Sequence, residues 1–104
     1  MEKHFKYNKR LGIPLPALVK EWESYTKEEQ QKILLHWEGI RGKIPDRIAE
    51  IEEIINHKQT LLGNEQDFPR SCQLNAEISD HASVINDLWI WYRMNQNISN
   101  KGHY

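Results

Sequence analysis

Residues 69–96 form the stretch that most constrains how this 104-residue chain can fold. Between Leu74 and Arg93 there is no glycine or proline, and apolar residues recur every three or four positions. This spacing places them on one face of an α-helix. A helix with such a face must bury it, so the other segments have to fold against it. The apolar stripe comprises Leu74, Ile78, Ile85, Trp89 and Tyr92.

An earlier apolar stripe predicts a second long helix beside the first. Its steps of four, three and four residues are typical of a coiled-coil seam. Pro45 suits the first turn of that helix, Gly63 suits its end, and a short polar loop follows. We therefore predict a long antiparallel hairpin of helices over about 45–62 and 69–96. The stripe consists of Ile44, Ile48, Ile51 and Ile55.

Two shorter helices are predicted ahead of this hairpin. Pro16 can open a helix over about 16–25, because the first helical turn needs no N–H from that residue. Thr26 and Glu29 form a capping box, which predicts a second helix over about 27–41. The predicted fold is a single all-α, bundle-like domain in which these two helices cap the hairpin.

The two ends of the chain are predicted to lie outside the helical body. Residues 1–12 hold four Lys or Arg side chains with aromatic residues between them, which favours a flexible basic arm. Residues 97–104 are polar, which favours a frayed tail.

Composition argues against several classes of function. The formal net charge is −1, from 14 basic and 15 acidic residues, whereas nucleic-acid and membrane-surface binders usually have a strong basic excess. Cys72 is the single cysteine, so no intrachain disulfide can form. The sequence has no signal-peptide pattern and no apolar run long enough to span a bilayer, which favours a cytoplasmic location.

A second apolar sector on the long helix predicts a contact surface. Val84 and Trp91 stand seven residues apart among acidic residues, and one hairpin partner cannot cover both sectors. The N-terminal helices or another subunit must therefore cover it. We predict a non-enzymatic interaction or regulatory module without a cofactor, whose partner is a second copy or another helical protein. The expected contact residues are Val84, Asp87, Leu88, Trp91, Trp22 and Trp37.

Carboxylates on the two long helices give an enzymatic alternative. Glu50 and Glu53 stand three residues apart, and Glu77 and Asp80 repeat that spacing. The arrangement resembles the metal-binding pattern of MazG-type nucleotide pyrophosphohydrolases, all-helical proteins that hold Mg²⁺ between two such helices. That resemblance implies a Mg²⁺-dependent nucleotide hydrolase. Helical periodicity, however, places Glu50 and Glu53 opposite the apolar stripe of their helix, so the interaction module is the leading interpretation.

A helix-turn-helix is a second alternative. The basic turn at residues 39–43 separates two predicted helices. The second of them, which would enter the DNA groove, carries Glu50, Glu52 and Glu53. Because phosphates repel these carboxylates, we do not expect nucleic acid as the partner.

Overall fold

A computed structural model describes residues 2–94, and helices dominate it. The molecule is elongated, with principal extents of 59 × 23 × 22 Å. The prediction of a mostly helical chain with two long helices is confirmed, but a small sheet accompanies the helices. In chain order the elements are a 3₁₀ turn Glu2–His4, strands β1 Phe5–Asn8 and β2 Ile13–Pro16, a 3₁₀ turn Trp22–Ser24, and helices α1 Lys27–Arg41, α2 Ile44–Gly63 and α3 Phe68–Tyr92.

Helix α1 begins at the predicted capping box. The Thr26 hydroxyl accepts a hydrogen bond from the Glu29 backbone N–H at 3.0 Å, and the Glu29 carboxylate accepts one from the Thr26 N–H at 2.9 Å. Both bonds satisfy N–H groups that a helix start leaves without partners. The bounds predicted for this helix are confirmed, and it buries Ile33, Trp37 and Ile40.

Helices α2 and α3 lie side by side along the length of the molecule. Ile51 of α2 shares a cleft with Val84 of α3, whereas Lys58 forms an ion pair with Glu77 at 2.7 Å. Residue numbers therefore rise along α2 as they fall along α3. The side chains that α2 buries are Ile44, Ile48 and Ile51, and those that α3 buries are Leu74, Val84 and Leu88.

The helix predicted over 16–25 is wrong. Residues 13–16 form strand β2, and Trp22–Ser24 make only a short 3₁₀ turn. A proline forces the residue before it into an extended conformation, and Pro14 and Pro16 do so in succession. The extended segment pairs antiparallel with β1, so that Phe5 lies opposite Pro16.

The described part of the predicted basic arm belongs to the fold. Phe5 and Leu11 are buried in the core cluster, which an arm extending into solvent would not allow. The turn between the strands is closed by the Gly12 N–H, which donates to the Asn8 carbonyl at 2.7 Å. Gly12 has φ 77°, a conformation that glycine adopts at little cost. The predicted tail, residues 97–104, lies outside the described residues.

His4 is the buried polar side chain of this N-terminal segment. It is 6% exposed, and its ring meets the Tyr25 ring edge to face at 5.4 Å between centroids. Its Nδ1 atom has no hydrogen-bond partner among residues 2–94. Burial lowers the pKa of His4 below its ordinary value of 6.5, and the nearby Lys3 lowers it further.

We expect stability to fall as the pH is lowered from 7 towards 5. Unfolded chains bind a proton on His4 near pH 6.5, before the folded protein does, so lowering the pH stabilises the unfolded state relative to the folded one. His4→Phe keeps the edge-to-face contact and should remove this dependence, which reaches at most about 1.4 kcal/mol per pH unit. Urea unfolding of both proteins at several pH values tests this. If the free energy of unfolding changed equally with pH in the two proteins, the dependence could not come from His4.

Leu88→Ala should lower the free energy of unfolding by about 2–5 kcal/mol, because Leu88 is 0% exposed and its loss leaves a cavity. The matched control is Leu35→Ala, since Leu35 is 76% exposed. That change should stay within about 0.5 kcal/mol. Chemical denaturation of both variants measures the difference, and similar losses would contradict the described core.

Candidate functional site

Three of the predicted contact residues lie inside the chain's own core. Trp37 and Leu88 are 0% exposed, and Val84 is 7% exposed. Their assignment to a partner surface was wrong, because side chains already buried within the chain offer no area to another molecule. The buried face of α3 is rotated towards Val84 and Leu88, while Trp89 of the predicted stripe is 37% exposed.

The other three contact residues also make contacts within the chain. Asp87 forms an ion pair with Arg10 at 2.7 Å, and the same guanidinium donates to the Ser83 hydroxyl at 2.9 Å. The Trp91 ring stands edge to face with Trp37 at 5.7 Å between centroids. Trp22 packs near Tyr25 instead. The structure therefore brings Trp37 and Trp91 together and leaves Trp22 in a separate contact.

The four carboxylates of the enzymatic alternative do not come together. Glu50 forms an ion pair with Arg47 at 3.1 Å, Glu53 is exposed on α2, and Asp80 lines a different cleft. Within residues 2–94, no three His, Cys, Asp or Glu side chains converge in a way that could hold a metal ion.

Glu77 has a structural role between the long helices. Its carboxylate accepts hydrogen bonds from Lys58 at 2.7 Å and from Gln73 at 3.1 Å. The bond from Lys58 is the main reason why the pKa of Glu77 lies below its ordinary range. One carboxylate oxygen thus joins α3 to α2, and the other is held by Gln73 within α3.

A large concave surface lies elsewhere, where the β-hairpin, α1 and the first turns of α2 meet. This surface, which we call the basic groove, is open to solvent and has a volume of about 1020 Å³. Its size is at the upper end for small-molecule pockets. Its lining includes Ile13, Lys32, Leu35, Gly39, Ile40, Lys43, Arg47 and Glu50.

Leu35 and Gly39 form the exposed apolar part of the groove on α1. They stand four residues apart on α1, on the face that lines the groove. Leu35 is 76% exposed, so most of its apolar area is available to a bound molecule. A Cβ atom on Gly39 would meet nothing within 4 Å, so no contact in the described fold requires a glycine there. Within a helix, glycine lowers stability compared with alanine.

Positive charge surrounds the apolar centre of the groove. Arg47 donates to the Leu11 carbonyl at 2.9 Å and pairs with Glu50, so its charge is largely satisfied. Lys32 and Lys43 make no ion pair with any residue between 2 and 94. Of the acidic residues that line the groove, only Asp46 stands outside the Arg47 pair.

The groove is equipped for binding more than for covalent chemistry. No hydroxyl or thiol side chain lines it, so the described lining offers no nucleophile of that kind. His36 is an exposed imidazole whose ring packs against Phe5 at 4.7 Å. Apolar side chains surrounded by cationic groups are a usual composition for a surface that receives an acidic, partly apolar segment.

Sequence reasoning missed this site because it depends on the unpredicted β-hairpin. Two local signals were nevertheless present in α1. Leu35 lies off the helical stripe of Ile33, Trp37 and Ile40, and Gly39 interrupts a helix that has good formers on both sides. Together they indicate that this face of α1 serves something other than the chain's own core.

Comparison of the chain with protein-family models, with curated proteins and with solved structures finds no match. Across residues 2–94, no helix combines the length and the apolar character needed to cross a bilayer.

Gly39→Ala should raise the free energy of unfolding by about 0.5–1 kcal/mol, because alanine favours the helix and its methyl group meets no neighbour. The matched control is Gly12→Ala, where φ 77° disfavours any side chain and stability should fall by about 1 kcal/mol or more. Thermal and urea unfolding measure the change in stability of both variants. A loss of stability in Gly39→Ala would show that the glycine is needed by the fold.

Proposed function

We propose that this chain is a non-enzymatic protein-interaction module that receives a helical segment in the basic groove. The observation that carries the proposal is the exposure of Leu35 beside the vacant space at Gly39, in a concave surface of about 1020 Å³. A monomer gains nothing from exposing a large apolar side chain next to a helix-weakening glycine. A bound segment would bury Leu35 and could approach the α1 backbone at Gly39.

The shape and charge of the groove favour a helix over a small ligand. A groove that is open along one side accepts the apolar face of an amphipathic helix, whose polar face remains in water. Gly39 would allow the bound backbone to approach closely, Leu35 would contact its apolar residues, and Lys32 and Lys43 would face its carboxylates.

A selection experiment tests this proposal directly. Amphipathic helical peptides displayed as a library would be selected on the immobilised full chain and then titrated against two variants at one position. Gly39→Leu fills the groove and should weaken binding at least tenfold, about 1.4 kcal/mol or more. Gly39→Ala adds one methyl group and should change the affinity much less. Selected peptides that bind Gly39→Leu as well as the unmodified chain would overturn the proposal.

A titration with Mg²⁺ or Mn²⁺, with and without nucleotides, separates this function from the hydrolase alternative. Because the four carboxylates lie apart, the melting temperature should not rise specifically with metal and nucleotide together. A rise that disappears in Glu77→Ala and Asp80→Ala would favour the hydrolase. Lys58→Ala serves as a control for the structural effect of losing the Glu77 ion pair.

A further inference from the structure

The turn between α2 and α3 exposes apolar side chains next to acidic ones. Leu61 is 41% exposed and Phe68 is 78% exposed. Glu65 and Asp67 lie between them in sequence. We call these four residues the acidic turn. It lies at the end of α2 opposite to the basic groove, which borders the first turns of that helix.

The acidic turn and the basic groove complement each other. One offers exposed apolar side chains with carboxylates, and the other offers Leu35 and an open Gly39 with Lys32 and Lys43. Oppositely charged surfaces with apolar centres attract and then exclude water from the contact. Arg70 adds a positive charge near the turn, and it also helps to lower the pKa of Glu77.

One flank of α2, beside the cleft that it shares with α3, connects these two surfaces. Arg47, Ile54 and Leu61 follow each other at intervals of seven residues, so they lie along one side of the helix. Ile54 is 39% exposed and stands midway in this row. At 1.5 Å per residue, Leu61 lies about 10.5 Å from Ile54 in one direction and Arg47 about 10.5 Å in the other.

From this arrangement we infer that the partner in the basic groove is a second copy of the chain, in a two-fold dimer that pairs α2 with α2. A two-fold axis near Ile54 places Leu61 of each copy beside Arg47 of the other, at the edge of the groove. The last turn of α2, which carries Leu61, is then the helical segment at each groove, and the acidic turn that follows it covers the groove. Lys43 faces Glu65 of the second copy, and Ile54 contacts its own equivalent. The inference rests on the proposed function and names its occupant.

Site-directed cross-linking tests the geometry in the full chain. All variants carry Cys72→Ser, because Cys72 is an exposed thiol. Under mild oxidation Ile54→Cys should form a disulfide-linked dimer, since a residue on a two-fold axis meets itself. The matched control is Glu52→Cys, which is exposed on another side of α2 and should remain unlinked. Equal cross-linking of both variants would overturn the inference.

The mass of the protein in solution and the effect of charge-reversal variants provide an independent test. Light scattering should give twice the chain mass at high concentration. Lys43→Glu should raise the dimer dissociation constant at least tenfold, and adding Glu65→Lys should restore it, because the reversed pair attracts again. Gly39→Leu should also weaken the dimer, whereas Gly39→Ala should leave it intact. A monomer at every concentration, or a double reversal that restores nothing, would overturn the inference.

The outcomes for the two proposals can be told apart. A monomeric chain whose selected peptides still require an open Gly39 would refute the dimer and keep the groove as a docking site for a foreign acidic helix. Peptides that bind regardless of Gly39→Leu would refute the groove itself, whatever mass the chain has.

Discussion

Helix α3 presents apolar side chains over an arc that α2 alone cannot cover, and the rest of the fold follows from this constraint. The buried positions Leu74, Val84 and Leu88 lie towards one edge of that arc. Beyond them, Arg10 from the β-hairpin binds Asp87 and Ser83, and Trp37 from α1 packs on Trp91. The N-terminal segments thus cover the second apolar sector, and in doing so they become part of one core with the long helices.

Covering α3 in this way creates the basic groove as a consequence. The β-hairpin is held against α2 by the bond from Arg47 to the Leu11 carbonyl, and Gly12 lies too close to Arg47 to carry a side chain without displacing it. Helix α1 is held at its other end, where Trp37 and Arg41 donate to the backbone carbonyls of Met94 and Tyr92. With both elements fixed by different contacts, the space between them remains open.

The sequence predicted the helices well and the N-terminal segment poorly, for physical reasons. Long apolar periodicity and the capping box at Thr26 are local signals, so α1 and the presence of the two long helices could be derived without tertiary information, although α3 ends at Tyr92 and not at the predicted residue 96. Strand pairing between residues 5–8 and 13–16 depends on burial of Phe5 and Leu11 against helices distant in sequence. The basic groove needed both parts of the fold and therefore could not be derived from either alone.

A chain with complementary surfaces at two ends of one helix can assemble either as a closed dimer or as an open polymer. Head-to-tail contacts between different surfaces extend without limit unless a rotation closes them. In the proposed dimer, the exposed Ile54 midway along α2 favours closure, because a two-fold axis there would satisfy both groove contacts and would bury a further exposed apolar side chain. Without that central contact, the same groove and turn would favour filaments. The position of Ile54 therefore bears on the form of assembly more directly than the groove residues do.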